Sequence, residues 1–401
     1  MAPRPKKILF IAECVTLAHM ARPAVLAKSL EDAPYEVVLA SDGRYDGLFS
    51  PLQLEQERIF SISSERFLKA LEKGQPLYDK ETLHRYVEDD LALFERTKPD
   101  VVVGDFRLSL SVSARIAKIP YVTISNIYWS PYAKQHYPVP ELPITRTLGV
   151  PLAQLMFSIV RPVAFALHTR PLNAVRKQFG LKPLGLDLRR TYTDADLTLY
   201  ADVPGLVETE ALPPNHRYIG PVLWSPEVPT PDWWDQIEPS QPIIYLTPGS
   251  SGSVDKLTTL AAALASLPAT VLVATAGREL QKIDIPSVYA ADFLPGTEAA
   301  IRADLVVCNG GSPTTGQALA TGTPVVGVSS NLDQYLNMNA LANAGLGLMV
   351  RSEQVTPERL RASAEAILND RRFRQRAAEM QTKIVGMQSA ERFRHALDKF
   401  I

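Results

Sequence analysis

A glycine pair, several hydroxyl groups and an Asp-Gln pair lie close together within residues 308–347. Gly310 and Gly311 follow the apolar run DLVVCN, and Thr314 and Thr315 come shortly after them. Glycine lets the backbone approach a ligand closely, and a helix that begins there offers free N–H groups with a partial positive charge. This pattern suits a phosphate group. Glycine turns also occur in α/β proteins for geometry alone, so that alternative stays open.

A second strand–loop–helix pattern follows in PVVGVSSNLDQYLNMNALANAG. It places Asp333 and Gln334 at the junction of loop and helix. A carboxylate and an amide at this point can hold the hydroxyl groups of a sugar. Asp is also a common cap at the start of a helix, so a purely structural role is the alternative.

His19 and Asp105 have the side chains and positions needed for proton transfer. His19 lies in the predicted loop after the apolar run KILFIA, and Asp105 ends the run PDVVVGD. An imidazole can take a proton from a hydroxyl near neutral pH, and an adjacent carboxylate fixes its tautomer. Solvation of a loop histidine and helix capping by Asp105 are the alternatives. Position alone does not decide between these interpretations.

Composition excludes some classes of partner. The chain has 401 residues and a net charge of -1. This charge does not favour electrostatic binding of nucleic acid. Cys14 and Cys308 are too few for a disulfide framework, so we expect free thiols and a cytoplasmic protein. The acidic run Glu88–Asp90 lies in a helical pattern and is interpreted as a solvated face, so no metal site is assigned.

The elements that must position these residues alternate along the chain. Short runs rich in Val and Ile are separated by helical patterns in both halves, which predicts parallel sheets with helical crossovers. The predicted fold class is α/β, with two Rossmann-like doubly wound domains facing across a cleft. The run KILFIA predicts a first strand, and RPAVLAKSL predicts a helix with Pro23 in its first turn.

The apolar segment Gly149–Leu167 is nearly long enough to span a bilayer. Arg161 and two prolines argue against a span. We expect a helix that is partly buried or that covers an apolar ligand site. Shallow contact with a membrane surface is the alternative.

The sequence from Asn309 to Gly347 resembles the donor-binding signature of GT-B glycosyltransferases that use nucleotide sugars, the UDP-glycosyltransferase and macrolide glycosyltransferase group. That signature has the order H-G-G-x-N-S-T-x-E-A-L, then G-x-P, D-Q, N-A and G-x-G. The motifs YLTPGSSG, DFLP and YIGPV are also similar to the family, as is the N-terminal ILFIAECVTLAHMARPAVLAKSL. The resemblance covers most of the chain.

The resemblance implies that the two domains bind different substrates. Residues 1–218 would bind the acceptor, 219–240 would be a linker, and 241–385 would bind the donor. Residues 386–401 would form a helix that returns to the first domain. The positions implied to bind the donor are Ser250, Gly252, Phe293, Leu294, Asn309, Gly310, Gly311, Thr314, Thr315, Gln317, Asp333 and Gln334.

Four positions depart from the family pattern. Asn309 stands where the family has His, Pro313 where it has Asn, Gln317 where it has Glu, and Gly296 where it has Gln. An amide can still donate to phosphate but cannot become cationic. The signature therefore does not choose between UDP and TDP.

The resemblance implies an inverting glycosyltransferase that moves a sugar from a nucleoside diphosphate to a hydroxyl group, without a metal or other cofactor. His19 would be the general base and Asp105 its partner, and Asp105→Asn is expected to lower turnover while leaving the fold intact. Tyr128, Trp129 and Tyr132 would form a stacking wall for an aromatic or lipophilic acceptor, or else belong to the core of a loop. The alternatives are a sugar-nucleotide epimerase and a non-catalytic homologue that binds a nucleotide sugar.

Overall fold

The computed structural model describes residues 4–49, 54–237, 240–249, 257–277 and 285–401. The chain divides into two compact units. Unit 1 comprises Met1–Gln135, Leu142–Val222 and Gln388–Ile401, and unit 2 comprises His136–Glu141 and Leu223–Met387. Unit 1 is therefore built from three separate stretches of the chain.

Within the described ranges, unit 1 contains one parallel sheet of seven strands in the order β3-β2-β1-β4-β5-β6-β7. The strands are β1 (Lys6–Ala12), β2 (Tyr35–Ser41), β3 (Glu55–Arg58), β4 (Val101–Asp105), β5 (Tyr121–Ser125), β6 (Leu197–Tyr200) and β7 (His216–Tyr218). The helices are α1 (Leu17–Lys28), α2 (Ser64–Glu72), α3 (Lys80–Thr97), α4 (Leu110–Ala117), α5 (Pro143–Gln178), α6 (Leu188–Thr193) and, near the C-terminus, α13 (Ser389–Asp398).

Unit 2 contains a second parallel sheet, in which the described strands follow the order β10-β9-β8-β11-β12-β13. These strands are β8 (Ile243–Leu246), β9 (Thr270–Ala274), β10 (Val288–Ala291), β11 (Leu305–Cys308), β12 (Val325–Ser329) and β13 (Gly347–Arg351). The helices are α7 (Leu257–Ala265), α8 (Gly296–Arg302), α9 (Ser312–Ala320), α10 (Leu332–Asn343), α11 (Pro357–Asn369) and α12 (Arg371–Val385). The predicted α/β class with two doubly wound sheets is confirmed.

Each sheet reverses its strand order at one point. In unit 1 the reversal lies between β1 and β4, and in unit 2 it lies between β8 and β11. Ligands of doubly wound proteins bind outside the carboxyl ends of the strands at such a point, because the loops there diverge to opposite faces. The loops after β1, β4, β8 and β11 are therefore the expected ligand-binding loops.

The central strands are apolar because both faces of each sheet are covered by helices. Ile8 and Phe10 of β1 are fully buried in one cluster with residues of β2, β4, β5 and β6. Phe393 of α13 belongs to the same cluster, and its ring lies 5.9 Å from that of Phe10. The last helix of the chain therefore completes the core of unit 1.

The acidic run Glu88–Asp90 is not a solvated face throughout, so that interpretation was wrong for one residue. Asp90 is fully buried and pairs with Arg107 at 3.0 Å. Arg107 also pairs with Glu13 at 3.1 Å, and its guanidinium lies 3.7 Å above the ring of Tyr86. Burial raises the pKa values of Glu13 and Asp90. The buried cation provides the partner that two carboxylates in a core require.

The apolar helix is also different from expectation. α5 runs over 36 residues, and Gly149 breaks its helical geometry with a φ of 75°. By length and composition it is long and apolar enough to cross a membrane. We expected partial burial of Gly149–Leu167, whereas most large apolar side chains of this segment are exposed.

Candidate active site

The geometry of unit 1 brings His19 and Asp105 together. β1 and β4 are neighbours in the sheet, and Ala12 lies opposite Asp105 in their register. His19 lies in the first turn of α1 rather than in a loop, because α1 begins at Leu17. Pro23 accordingly lies inside the helix and not in its first turn. The pair sits at the strand-order reversal of the sheet, where a ligand site is expected.

Asp105 holds one nitrogen of the imidazole. Its Oδ1 lies 2.8 Å from Nδ1 of His19. A carboxylate can accept but not donate, so Nδ1 carries the proton and Nε2 has a free lone pair. Asp105 is 1% exposed while the His19 side chain is 18% exposed. The arrangement can accept a proton at Nε2 and stabilise the resulting imidazolium.

Phe106 restricts the orientation of His19. The two rings are stacked, with centroids 4.7 Å apart and an angle of 11° between their planes. Phe106 has a φ of 59°, a left-handed conformation that is uncommon for a bulky residue. Such conformations cost free energy and persist where surrounding contacts impose them, often at functional sites. Phe106 directly follows Asp105, but nothing in the sequence indicated its backbone strain.

Arg22 is a third member of this group that the sequence analysis missed. Its Nε lies 2.6 Å from Oδ2 of Asp105, and its Nη2 donates to Oδ1 at 3.0 Å. Burial opposes the charge of Arg22, but Asp105, Tyr128 and Asp202 together outweigh this effect, and the pKa of Arg22 is raised. Arg22 follows His19 by three residues, so the two share one face of α1. That spacing was the available signal.

The network extends from Arg22 into the loop after β5. Nη1 of Arg22 donates to Oδ1 of Asn126 at 2.8 Å, and Nδ2 of Asn126 donates to Asp202 at 3.1 Å. Asp202 also accepts a hydrogen bond of 2.6 Å from the backbone N–H of Ile127. The buried charges of Asp105 and Asp202 thus flank one guanidinium. The carboxylate that holds His19 is therefore itself held rigidly.

The three aromatic residues predicted to form an acceptor wall are not equivalent. Tyr128 is 1% exposed and belongs to the core of the loop, which agrees with the alternative interpretation. Tyr132 packs edge-on against His216 of β7. Trp129 packs edge-on against Tyr192 at 5.1 Å, and Tyr192 lies 5.2 Å from Phe106. Of the three, Trp129 packs directly against Tyr192, which contacts the Phe106 ring beside His19.

A small cavity lies next to these rings in unit 1. It has room for about one water molecule, with a volume of about 20 Å³, and it is lined by Tyr78, Leu108, Leu172 and Tyr192 among others. A ligand larger than a water molecule does not fit into this cavity.

The glycine-rich loop of unit 2 lies at the strand-order reversal of the second sheet. α9 begins at Ser312, and Gly311 is its N-cap residue without a side-chain cap. The N–H of Gly311 donates to Oδ1 of Asn309 at 3.0 Å. Gly249 after β8 lies beside Asn309, since a Cβ at Gly249 would be 3.3 Å from Nδ2 of Asn309. The loops after β8 and β11 therefore meet; Ser250 and Gly252 lie outside the described residues.

Several residues of the predicted donor site have partners inside the fold. Gly310 has a φ of 82°, and a Cβ there would lie 2.5 Å from Met338 and 2.6 Å from Ser329. Thr315 is buried, and its hydroxyl accepts a hydrogen bond from Asn337 at 2.9 Å. These two positions thus have structural reasons for their residue types. Gly311 and Thr314 are only partly buried and remain accessible at the start of α9.

Other positions implied to bind the donor show the same mixture of buried and accessible side chains. Leu294 is buried and Phe293 is partly buried, next to Gly277. The amide of Gln317 donates to the carbonyl oxygen of Trp224. A Cβ at Gly296 would lie 3.2 Å from Oε1 of Gln317. The two departures from the family pattern at Gly296 and Gln317 are therefore in contact with each other.

Gln334 has the structural role that was the alternative for the Asp-Gln pair. Asn331 and Gln334 form a capping box at the start of α10, in which each side chain bonds the backbone of the other. Gln334 is 2% exposed, and its Oε1 also accepts from the N–H of Ser330 at 2.9 Å. Asp333 is the more accessible member of the pair.

The segment His136–Glu141 packs beside this capping box. His136–Glu141 belongs to unit 2, where the N–H of Glu141 donates to the carbonyl oxygen of Ser330 at 2.9 Å. The Glu141 carboxylate accepts from the N–H of Glu353 at 2.7 Å and from Tyr335 at 3.3 Å. Burial raises the pKa of Glu141. The carboxyl group of Glu141 thus lies at the end of β12, next to the loop that leads to Asp333.

Metal ligands were not expected, and the described part of the chain contains no group of three or more His, Cys, Asp or Glu side chains arranged to hold a metal ion. Cys14 and Cys308 are buried and free, and burial raises the pKa of each thiol to about 12. Neither thiol is suited to act as a nucleophile at neutral pH.

Comparisons with known proteins decide the family. The chain is 49% identical over 383 residues to a protein of Mycobacterium tuberculosis named PGL/p-HBAD biosynthesis glycosyltransferase, which covers 94% of this chain and 90% of the relative. This chain belongs to the macrolide-type family of GT-B glycosyltransferases. Residues 258–391 match the family model of the erythromycin biosynthesis protein CIII-like C-terminal domain. The protein is accordingly a glycosyltransferase.

Other relatives of this glycosyltransferase carry more specific names. A PGL/p-HBAD biosynthesis rhamnosyltransferase of Mycobacterium bovis is 49% identical over 380 residues, covering 95% of this chain and 84% of the relative. A protein of Mycobacterium bovis named an inactive PGL/p-HBAD biosynthesis glycosyltransferase is 49% identical over 260 residues, covering 64% of this chain and 71% of that protein.

Solved structures share the fold of this glycosyltransferase. The spinosyn forosaminyltransferase SpnP has a TM-score of 0.70 at 19% identity and covers 98% of both chains. The Streptomyces sp. SF2575 glycosyltransferase SsfS6, complexed with thymidine diphosphate, has a TM-score of 0.68 at 20% identity and covers 97% of this chain and 98% of that chain. At these identities the likeness establishes the fold alone.

Proposed function

We propose that this glycosyltransferase inverts the configuration of a sugar as it moves it from UDP or TDP to a hydroxyl group, with His19 as general base. The observation that carries the proposal is the 2.8 Å contact between Nδ1 of His19 and the buried Asp105. This contact fixes the tautomer in which Nε2 is the proton acceptor. The stacked ring of Phe106 keeps the imidazole in one orientation.

The proposed reaction balances as a single displacement. Nε2 of His19 takes the proton of the acceptor hydroxyl while its oxygen bonds to the anomeric carbon. The bond from that carbon to the diphosphate oxygen breaks on the opposite face, and the nucleoside diphosphate leaves with the electron pair. Asp105 stabilises the imidazolium that results.

The leaving diphosphate would be stabilised by the N-terminus of α9. Its first turn presents backbone N–H groups and a partial positive charge, and no side chain caps it among the described residues. Thr314 adds a partly accessible hydroxyl group. This supports transfer without a metal ion, because the protein supplies the charge compensation itself.

Asp333 and Gln334 are proposed to bind hydroxyl groups of the donor sugar. Oε1 of Gln334 is engaged in the capping box, whereas its buried Nε2 has no hydrogen-bond partner among the described residues and can donate to a ligand. Rhamnose is the first sugar to test, because a relative with 49% identity is named a rhamnosyltransferase. An aromatic or lipophilic acceptor fits the rings of Trp129 and Tyr192 near His19. The buried free thiols fit a reducing compartment such as the cytoplasm.

The decisive experiment measures turnover of the His19→Ala variant. We expect turnover with an aliphatic alcohol to fall by roughly 10²–10⁴-fold, the range for general acid–base catalysis. A phenol gives up its proton more readily and should depend less on His19.

The matched control is His395→Ala, which removes an exposed imidazole from α13. Turnover of this variant should equal that of the wild type, and donor affinity should be unchanged in both variants. Release of nucleoside diphosphate is measured with and without acceptor, because an epimerase would not need one. Near-normal turnover of His19→Ala with an aliphatic alcohol would overturn the assignment of the base.

A further inference from the structure

α5 carries a continuous apolar stripe on its exposed side. Leu155, Ile159 and Val163 are 61%, 72% and 60% exposed, and their spacing of four residues places them along one line of the helix. The other large apolar side chains of this stripe are Leu152, Met156, Val160 and Leu167. An exposed apolar surface of this extent is uncommon on a protein that meets only water.

The apolar stripe of a helix is normally covered by a protein core or by lipid. The residues of α5 from Thr169 onward fit the first case, because Thr169, Leu172 and Val175 are buried in unit 1. The residues before Thr169 do not fit it, because the stripe is uncovered.

The exposed part of α5 is too short to cross a bilayer from one side to the other. Gly149 breaks the helix on one side, and the buried residues from Thr169 fix it on the other. The stripe from Leu152 to Leu167 is about 24 Å long at 1.5 Å per residue, whereas a hydrocarbon core is about 30 Å thick. Its geometry is that of a helix lying along a membrane surface.

The charges around the stripe indicate the kind of surface. Across the whole chain, 42 Lys and Arg residues are balanced by 43 Asp and Glu residues. Residues 142–186 contain no Asp or Glu but six basic residues, Arg146, Arg161, Arg170, Arg176, Lys177 and Lys182. Four of these are exposed, namely Arg146 before the stripe and Arg170, Lys177 and Lys182 after it. Cations at both ends of an apolar helix complement anionic headgroups.

We infer that α5 docks unit 1 onto an anionic lipid surface, with the stripe at the boundary of the acyl chains and the exposed cations at the headgroups. A second copy of the chain is the less suitable occupant. Twofold pairing through this face would bring the same set of cations together without an acidic residue of 142–186 to oppose them. The inference goes beyond the proposed function, since it concerns neither the donor nor the base.

Flotation of the full chain with vesicles tests this inference, in the absence of donor and acceptor. One set of vesicles contains phosphatidylcholine alone, and the other contains phosphatidylcholine with phosphatidylglycerol. We expect the wild type to bind the anionic vesicles more tightly, and this preference to weaken in high salt. Replacing the exposed Arg and Lys residues by Gln should reduce binding to anionic vesicles by about fivefold per charge.

The triple variant Leu155→Ser, Ile159→Ser, Val163→Ser tests the stripe. These side chains are exposed to solvent in the free protein, so replacing them should leave the melting temperature unchanged. Binding to both vesicle types should fall at least tenfold, on the order expected when three apolar side chains are no longer buried in the membrane. The matched control is Ile301→Ser with Val385→Ser, which removes two apolar side chains that are 61% and 66% exposed in unit 2. This control should bind vesicles as the wild type does.

Three results would overturn the inference. The first is a wild type that does not float with anionic vesicles, and the second is a triple variant that floats as the wild type does. The third is a wild type that is dimeric by light scattering and a triple variant that is monomeric, with vesicle binding by neither. The third result would assign the stripe to a second copy of the chain.

Discussion

Replacing Asp105 by Asn is expected to destabilise unit 1 as well as slow the reaction. Asp105 is 1% exposed and contacts Arg22 through both carboxylate oxygens, at 2.6 and 3.0 Å. An Asn side chain is neutral, so the guanidinium of Arg22 would keep its charge in a buried position without its closest counter-ion. The sequence-based expectation of an intact fold did not include Arg22.

The size of the effect follows from the burial of the pair. Breaking a buried ion pair by removing one partner costs about 3–5 kcal/mol, because an uncompensated charge is left behind. A typical free energy of unfolding is about 5–15 kcal/mol, so this loss is a large fraction of the total. For a unit of this size the melting temperature should fall by roughly 6–20 °C, at about 2–4 °C per kcal/mol.

Calorimetry of three variants separates the roles of the residues. His19→Ala should keep a melting temperature close to that of the wild type, since Asp105 stays paired with Arg22, yet lose turnover. Asp105→Asn should lose both stability and turnover. The double variant Arg22→Met, Asp105→Asn removes both charges and should regain at least half of the lost stability. A melting temperature of Asp105→Asn within 2 °C of the wild type, on the order of 1 kcal/mol or less, would refute the reasoning.

Three further outcomes are expected. Asp333→Ala should weaken use of the donor sugar far more than binding of the free nucleoside diphosphate, and equal losses in a titration of both ligands would indicate a structural role. Turnover should persist after treatment with EDTA, and a loss that Mg²⁺ or Mn²⁺ restores would contradict this. Gly310→Ala should lower the free energy of unfolding by about 2–5 kcal/mol, from left-handed strain and overpacking against Met338. Denaturant unfolding measures that loss, and an unchanged midpoint would contradict it.

Much of the fold could be predicted because the central strands are apolar runs with clear ends. The order of these runs also placed His19 and Asp105 after strands that prove to be neighbours. Three strands at or near the sheet edges were missed. β3 has the sequence EQER, β7 has three residues, and β13 overlaps the glycines of the donor signature. β3 and β7 lack the apolar pattern of the central strands, since an edge strand is covered less completely.

The parts of the site that were missed depend on contacts between distant residues. Arg22 and Arg107 are charged side chains that are buried only because carboxylates from other elements meet them. Apart from the three-residue spacing of Arg22 from His19, no local pattern distinguishes these residues from solvated ones. The segment His136–Glu141 was similarly invisible, since its membership of unit 2 rests on hydrogen bonds to Ser330 and Glu353.

The position of α13 has a consequence for how the chain matures during synthesis. β1 is synthesised before unit 2, whereas Phe393, which packs against Phe10, is synthesised after it. The carbonyl oxygen of Ile401 also accepts a hydrogen bond from Lys6 of β1. Part of the sheet of unit 1 therefore stays uncovered until residues 223–387 have been translated. A fragment that stops at Val222 would lack this cover, so it is a poor substitute for a chain that includes residues 388–401.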